Sequence, residues 1–106
     1  MYYYLTSQEL TALKNRSIEK GWNPLPVQGA NKRAYYRYNG SSIELKSYDT
    51  IVLEYDTTTG EFIRRWGGYS ATTLKHAEMF KCYITGEQYR RNTTFGKANW
   101  EKMYVA

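Results

Sequence analysis

His76 and Cys82 are the residues of this chain whose types most readily do chemistry, and each is the only one of its kind. A thiolate zinc site, a two-histidine metal face and an intramolecular disulfide are therefore not expected. A cysteine–histidine nucleophile pair needs both side chains on one face. Six residues separate the two, roughly 600° around a helix, which turns them apart. The carboxylates suit general acid–base work no better. Asp49 and Glu54 sit at odd spacing on an expected strand and point to opposite faces, while Asp56 and Glu61 flank an expected turn. Gly60, Gly67 and Gly68 lack the spacing of a phosphate-binding glycine loop. No catalytic residue, cofactor or metal site is expected, and His76 and Cys82 are read as packing or hydrogen-bonding residues.

The residues offer binding chemistry instead. Fifteen Lys and Arg against ten Asp and Glu leave a net charge of +5, which favours anionic partners without resembling a histone-like tail. Twelve of the eighteen aromatic rings are tyrosines, suited to half-buried sheet positions and to binding faces alike. Arg33, Tyr35 and Arg37 alternate onto one strand face, and Phe62, Arg64 and Trp66 onto one face of another, with Arg65 adjoining. Arg90 and Arg91 lie in a C-terminal quarter that holds five cations and two carboxylates. Guanidinium groups attract phosphate or carboxylate, and exposed rings stack on bases or fill pockets on a protein. The candidate partner-binding residues are thus Arg33, Tyr35, Arg37, Phe62, Arg64, Arg65, Trp66, Arg90 and Arg91. The competing use of the same side chains is internal cross-strand and cation–π pairing. No RNP motif, helix-turn-helix pattern or zinc finger accompanies them.

The elements that must position these residues make a single α+β domain over 1–106, since 106 residues supply one hydrophobic core. Thr6 caps a helix, Glu9 closes a capping box, and Leu5 and Leu10 form a hydrophobic staple. That helix is expected to reach about Lys20, with Leu10, Leu13 and Ile18 inward and Gly21 as its stop. The prolines at 24 and 26 lead into a loop to about Asn31. From Arg33 the hydrophobic period becomes two, giving an antiparallel meander of about four strands. Asn39-Gly40 provides a type I′ hairpin turn, and a partner strand runs from Ser42 to about Lys46. A third strand sets Ile51, Leu53 and Tyr55 on one side and Val52 on the other, and a fourth spans Glu61 to Trp66. Ser70 then caps a second helix from Ala71 to about Tyr83, whose stripe of Thr73, Ala77, Phe80 and Ile84 lies on the sheet. The expected core is Leu10, Leu13, Ile43, Leu45, Ile51, Leu53, Ala77 and Phe80; residues 85–106 remain unassigned. No membrane span and no targeting segment are expected, and the lone cysteine fits a reducing cytoplasm.

Ser47-Tyr48-Asp49-Thr50-Ile51-Val52, followed by Gly68-Tyr69-Ser70-Ala71-Thr72-Thr73-Leu74-Lys75-His76, resembles a pattern in small proteins of bacterial phages and mobile elements. In those proteins a Ser-Tyr-x-Thr strand precedes a helix opening Tyr-Ser-x-Thr-Thr-x-x-His. The likeness spans about 30 residues and stops near Lys81, where Ala77-Glu78-Met79-Phe80 replaces a more usual Ile-Asn-x-Phe. The residues themselves read as a strand–helix junction. What the resemblance implies is an accessory gene product acting in the host cytoplasm without catalysis. It would occlude the surface of a host protein or ribonucleoprotein, such as a Cas effector, in the manner of an anti-CRISPR inhibitor. The alternative is a DNA- or RNA-binding module that uses the basic and aromatic sheet face; a hydrolase stands third.

Overall fold

A computed structural model describes residues 5–27, 33–89 and 94–106. Helix α1 (Ser7–Lys20) begins where the capping pattern predicts: the Thr6 side chain accepts from the Glu9 N–H at 3.1 Å. It ends at Gly21, whose φ of 75° carries its N–H to the Ser17 carbonyl. Leu13 is fully buried, and Leu5 and Leu10 pack half-buried against the core. Ile18 is 85% exposed, against the inward expectation, because it lies roughly 140° around the helix from Leu13.

The sheet has five antiparallel strands in chain order, β1 (Asn23–Pro24), β2 (Ala34–Asn39), β3 (Ser42–Ser47), β4 (Thr50–Asp56) and β5 (Phe62–Arg64). The extra strand, β1, falls in the expected loop: Asn23 pairs with Tyr36 and Pro24 with Tyr35 at the sheet edge, where proline is tolerated. The first hairpin closes one residue later than the Asn39-Gly40 reading. Asn39 pairs with Ser42, and of the two loop residues only Gly40 has positive φ, the arrangement of a type II′ turn. Between β3 and β4 the register shifts at Leu45/Lys46, so Leu45 faces Leu53 while Lys46 faces Ile51. This bulge turns both Val52 and Leu53 into the core and leaves Ile51 half-buried on the opposite side. Strict alternation had placed Ile51 inside.

Helix α2 (Ala71–Thr85) is capped by Ser70 and ends at the left-handed Gly86. Its expected stripe faces the sheet: Thr73, Ala77 and Phe80 are buried, and Ile84 packs against the core. A short helix, α3 (Lys97–Lys102), supplies Trp100, which with Phe95 completes a core extending into the unassigned tail. Both long helices lie on one face of the sheet. On that face Arg16 of α1 donates to the Tyr36 hydroxyl, Tyr83 of α2 meets the Tyr36 ring edge-on at 5.6 Å, and Phe80 meets Phe62 at 6.3 Å.

The Tyr36 and Tyr83 hydroxyls approach to 3.5 Å. Burial pushes the Tyr83 hydroxyl far above its ordinary value, and the hydrogen bond with Tyr36 adds to the shift. The folded state thus holds this proton more tightly than the unfolded chain. Stability from this source is complete below the ordinary tyrosine pKa of about 10 and falls as pH rises through it. Urea unfolding at pH 9 and 11 is expected to show a steeper alkaline loss in the native protein than in Tyr83→Phe; equal losses would place the effect elsewhere.

Candidate functional site

Period two tells which residues of a strand share a face, and the helices decide which face is covered. Tyr36, Ile43, Leu45 and Leu53 point under the helices. Their neighbours Tyr35, Arg37, Glu44, Lys46, Glu54 and Ile63 point to the other side, where no described helix packs.

Trp22, just before β1, anchors this open face. The Arg37 guanidinium lies 4.3 Å and the Lys46 ammonium 4.7 Å from the centre of its ring, and the same ammonium lies 5.3 Å from the Tyr35 ring. Two cations are thereby held beside one indole by its electron-rich face. A transverse row of charges crosses the sheet next to them. Arg37 Nε donates to Glu44 Oε1 at 2.7 Å, Glu44 faces Glu54 across the β3–β4 ladder, and Arg65 Nη1 donates to Glu54 Oε1 at 2.7 Å. Like charges directly opposite on neighbouring strands repel, and each carboxylate is neutralised by an arginine on its outer side. At the end of the sheet Arg33 lies 5.9 Å from the ring of Tyr48. Tyr48 is the only described non-glycine residue with positive φ, at 55°, and its N–H donates to the Arg33 carbonyl.

The candidate residues therefore divide. Tyr35, Arg37 and Arg65 come to the open side, Arg33 lies at the end of the sheet against Tyr48, and Phe62 and Arg64 point under the helices. Phe62 packs on Tyr55, Phe80 and Phe95. Arg64 is 5% exposed and donates to the carbonyls of Trp66, Gly68, Trp100 and Met103, so its charge is committed inside the fold. Trp66 is half-buried against the core, its ring so close to Gly68 that a Cβ there would collide with it. Arg90 and Arg91 lie outside the described residues. Trp22, Glu44 and Lys46 are not among the binding residues expected from spacing, and Glu54 figures there only as a carboxylate unsuited to acid–base work. Lys46 and Glu44 share the spacing of Arg37 and Tyr35, but Trp22 joins them only through the two-residue strand β1.

The resembling motif converges in space. The Ser47 hydroxyl lies 2.8 Å from His76 Nδ1 and 3.2 Å from the Thr73 hydroxyl, joining the end of β3 to α2 beneath the Tyr48 turn. A serine–histidine contact could serve acyl transfer only if the oxygen were reachable, and Ser47 is 2% exposed beneath a fully buried His76. Its work is to lock strand to helix. Cys82 is buried on another side of α2 and points its sulfur at the Gln88 carbonyl. Among the described residues no group of three His, Cys, Asp or Glu could hold a metal ion, and no helix is long and apolar enough to cross a membrane.

The model of one protein family, described as a family of unknown function (DUF8033), matches residues 11–101, which run from α1 into α3. No curated protein and no solved structure matches the chain.

Proposed function

The chain belongs to DUF8033, and as that family brings no activity with it, we propose from the open sheet face that the protein is a non-enzymatic binding protein acting by surface occlusion. The observation that carries this reading is the Trp22 ring flanked by Arg37 and Lys46 on a face no described helix covers. Aromatic and arginine side chains on a rigid sheet are the residue types that anchor protein interfaces. Arg37 and Arg65 are already paired with Glu44 and Glu54, which leaves little free positive charge on the face for a phosphate backbone and favours a protein partner over nucleic acid. The resemblance to phage and mobile-element proteins narrows the partner to a host defence nuclease, a Cas effector being the type, met in the host cytoplasm. Direct DNA or RNA binding by the same face is the second reading, favoured by the +5 net charge.

Titration against labelled DNA, RNA and purified host RNA-guided nuclease complexes separates the two. Lys46→Glu and Trp22→Ala are expected to weaken nuclease binding at least about tenfold, while Lys20→Glu on α1 leaves it unchanged. Affinity should change little between about 50 and 200 mM salt, since peripheral charges steer encounter more than they hold a complex. Tight binding to free nucleic acid that falls roughly a thousandfold over that range would replace this reading with the second.

A further inference from the structure

A cleft of about 510 Å³ opens in the helical layer, lined by Tyr69, Thr72, Leu74, Lys75, Tyr89 and Lys97. Four chain segments meet there: the turn before α2, the first turns of α2, the segment after α2 and the start of α3. Its volume falls within the range of small-molecule sites, which combine apolar walls with a few convergent polar groups. Tyr69 is 47% exposed and offers a ring on one wall; Tyr89, half-buried against the core, lines the cleft as well. Lys97 reaches to 5.0 Å from the Tyr69 ring and is balanced only by an exposed Glu101 carboxylate at 4.0 Å. Lys75 lines the same cleft and forms no ion pair with any described residue. Lys97 beside the Tyr69 ring and Lys75 in the same lining offer a surface for a planar ring that carries an anion: the ring stacks, and the anion is met by the lysines.

We infer that this cleft binds a nucleotide unit, with its base against Tyr69 and Tyr89 and its phosphate between Lys75 and Lys97. The site is separate from the open sheet face and does not depend on what that face binds. A free mononucleotide and the 5′ end of a single strand present the same chemistry. Stacking supplies tolerance of any base and the lysines require the phosphate, so neither half of the ligand alone should suffice.

Calorimetric titration of the full chain with adenosine 5′-monophosphate is expected to show one saturable site. Adenosine and inorganic phosphate should each bind at least about tenfold more weakly, as loss of a charged or stacking contact implies. Lys75→Gln, Lys97→Gln and Tyr69→Ala should each weaken the mononucleotide about tenfold, whereas Lys46→Glu on the sheet face should not. All these side chains are exposed or half-buried, and unchanged far-UV circular dichroism verifies folding. A 5′-phosphorylated dinucleotide that binds more tightly than the mononucleotide assigns the cleft to strand ends; weaker binding assigns it to free nucleotide. No saturable binding at millimolar mononucleotide, or an affinity unchanged in the Lys75→Gln/Lys97→Gln double variant, overturns the inference.

Discussion

Replacing Phe80 with alanine is expected to lower the folding free energy by about 3–5 kcal/mol. The ring is fully buried on the sheet-facing stripe of α2. It stands edge-on to Phe62, which in turn touches Tyr55 at 4.9 Å and Phe95 at 6.0 Å, and Phe95 stands edge-on to Trp100. Such rings contribute both buried area and favourable edge-to-face geometry. The cavity left by alanine would be walled by the sheet on one side and by the α3 region on another, so collapse could recover little of the loss. A domain of this size has a total stability of roughly 5–15 kcal/mol, so the variant should unfold at a much lower urea concentration with the dependence on urea unchanged. A midpoint equal to that of the native protein would mean that α2 does not pack on the sheet through this residue.

Arg64→Leu is expected to cost roughly as much, about 3–5 kcal/mol, by a different route. Its guanidinium donates to four main-chain carbonyls, two of them, Trp100 and Met103, at the C-terminal end of α3. Helix-end carbonyls lack partners within the helix and carry partial negative charge. A buried cation there replaces water as their donor, and its own charge is offset by carbonyl dipoles and by the Trp100 ring at 4.7 Å. Leucine fills part of the space but takes a donor from all four: the Trp100 carbonyl still accepts from the Met103 N–H and that of Gly68 from the Trp100 indole, whereas those of Trp66 and Met103 lose the donor that Arg64 supplied, at about 1–3 kcal/mol for each that stays buried. Lysine keeps the charge but loses the planar fork, and Arg64→Lys should fall between the two. Amide exchange identifies the cause: in Arg64→Leu protection should be lost first at residues 94–106, with the sheet following. A stability within about 0.5 kcal/mol of the native protein, the usual range for surface changes, would show that the carbonyls find other donors.

The contrast between Arg64 and Arg37 marks the limit of what the chain alone discloses. Both occupy alternating basic and aromatic runs on strands, and alternation correctly groups each with its neighbours. Which group faces solvent depends on where the helices dock, and that is set by distant packing such as Phe62 on Phe80 and Tyr36 on Tyr83. Helix α1 was legible to the residue because Thr6, Glu9 and Gly21 act through local hydrogen bonds and backbone geometry. The Leu45/Lys46 bulge was not, since nothing in the local pattern separates Val52 from Ile51 until Leu45 and Leu53 are paired. Trp100 escaped because a six-residue helix shows too little periodicity, and its indole is held by the Gly68 carbonyl far back in the chain. The open face was half legible: Tyr35 and Arg37 follow from spacing, whereas Trp22 depends on a strand of two residues.

The order β1-β2-β3-β4-β5 also bears on how the chain reaches this structure. Every strand pairs only with its neighbours in sequence, and two of the connections, Gly40-Ser41 and Tyr48-Asp49, are two-residue turns. Each pairing closes a short loop, so the sheet can assemble by zipping outward from its hairpins at little entropic cost. The separations are longer where α1 meets β2, where His76 meets Ser47 and where Arg64 meets Trp100, 36 residues on. Those joints lie on the helical side of the sheet, so the layer that carries the Lys75–Lys97 cleft is the one whose formation awaits long-range closure, after the open face is already drawn.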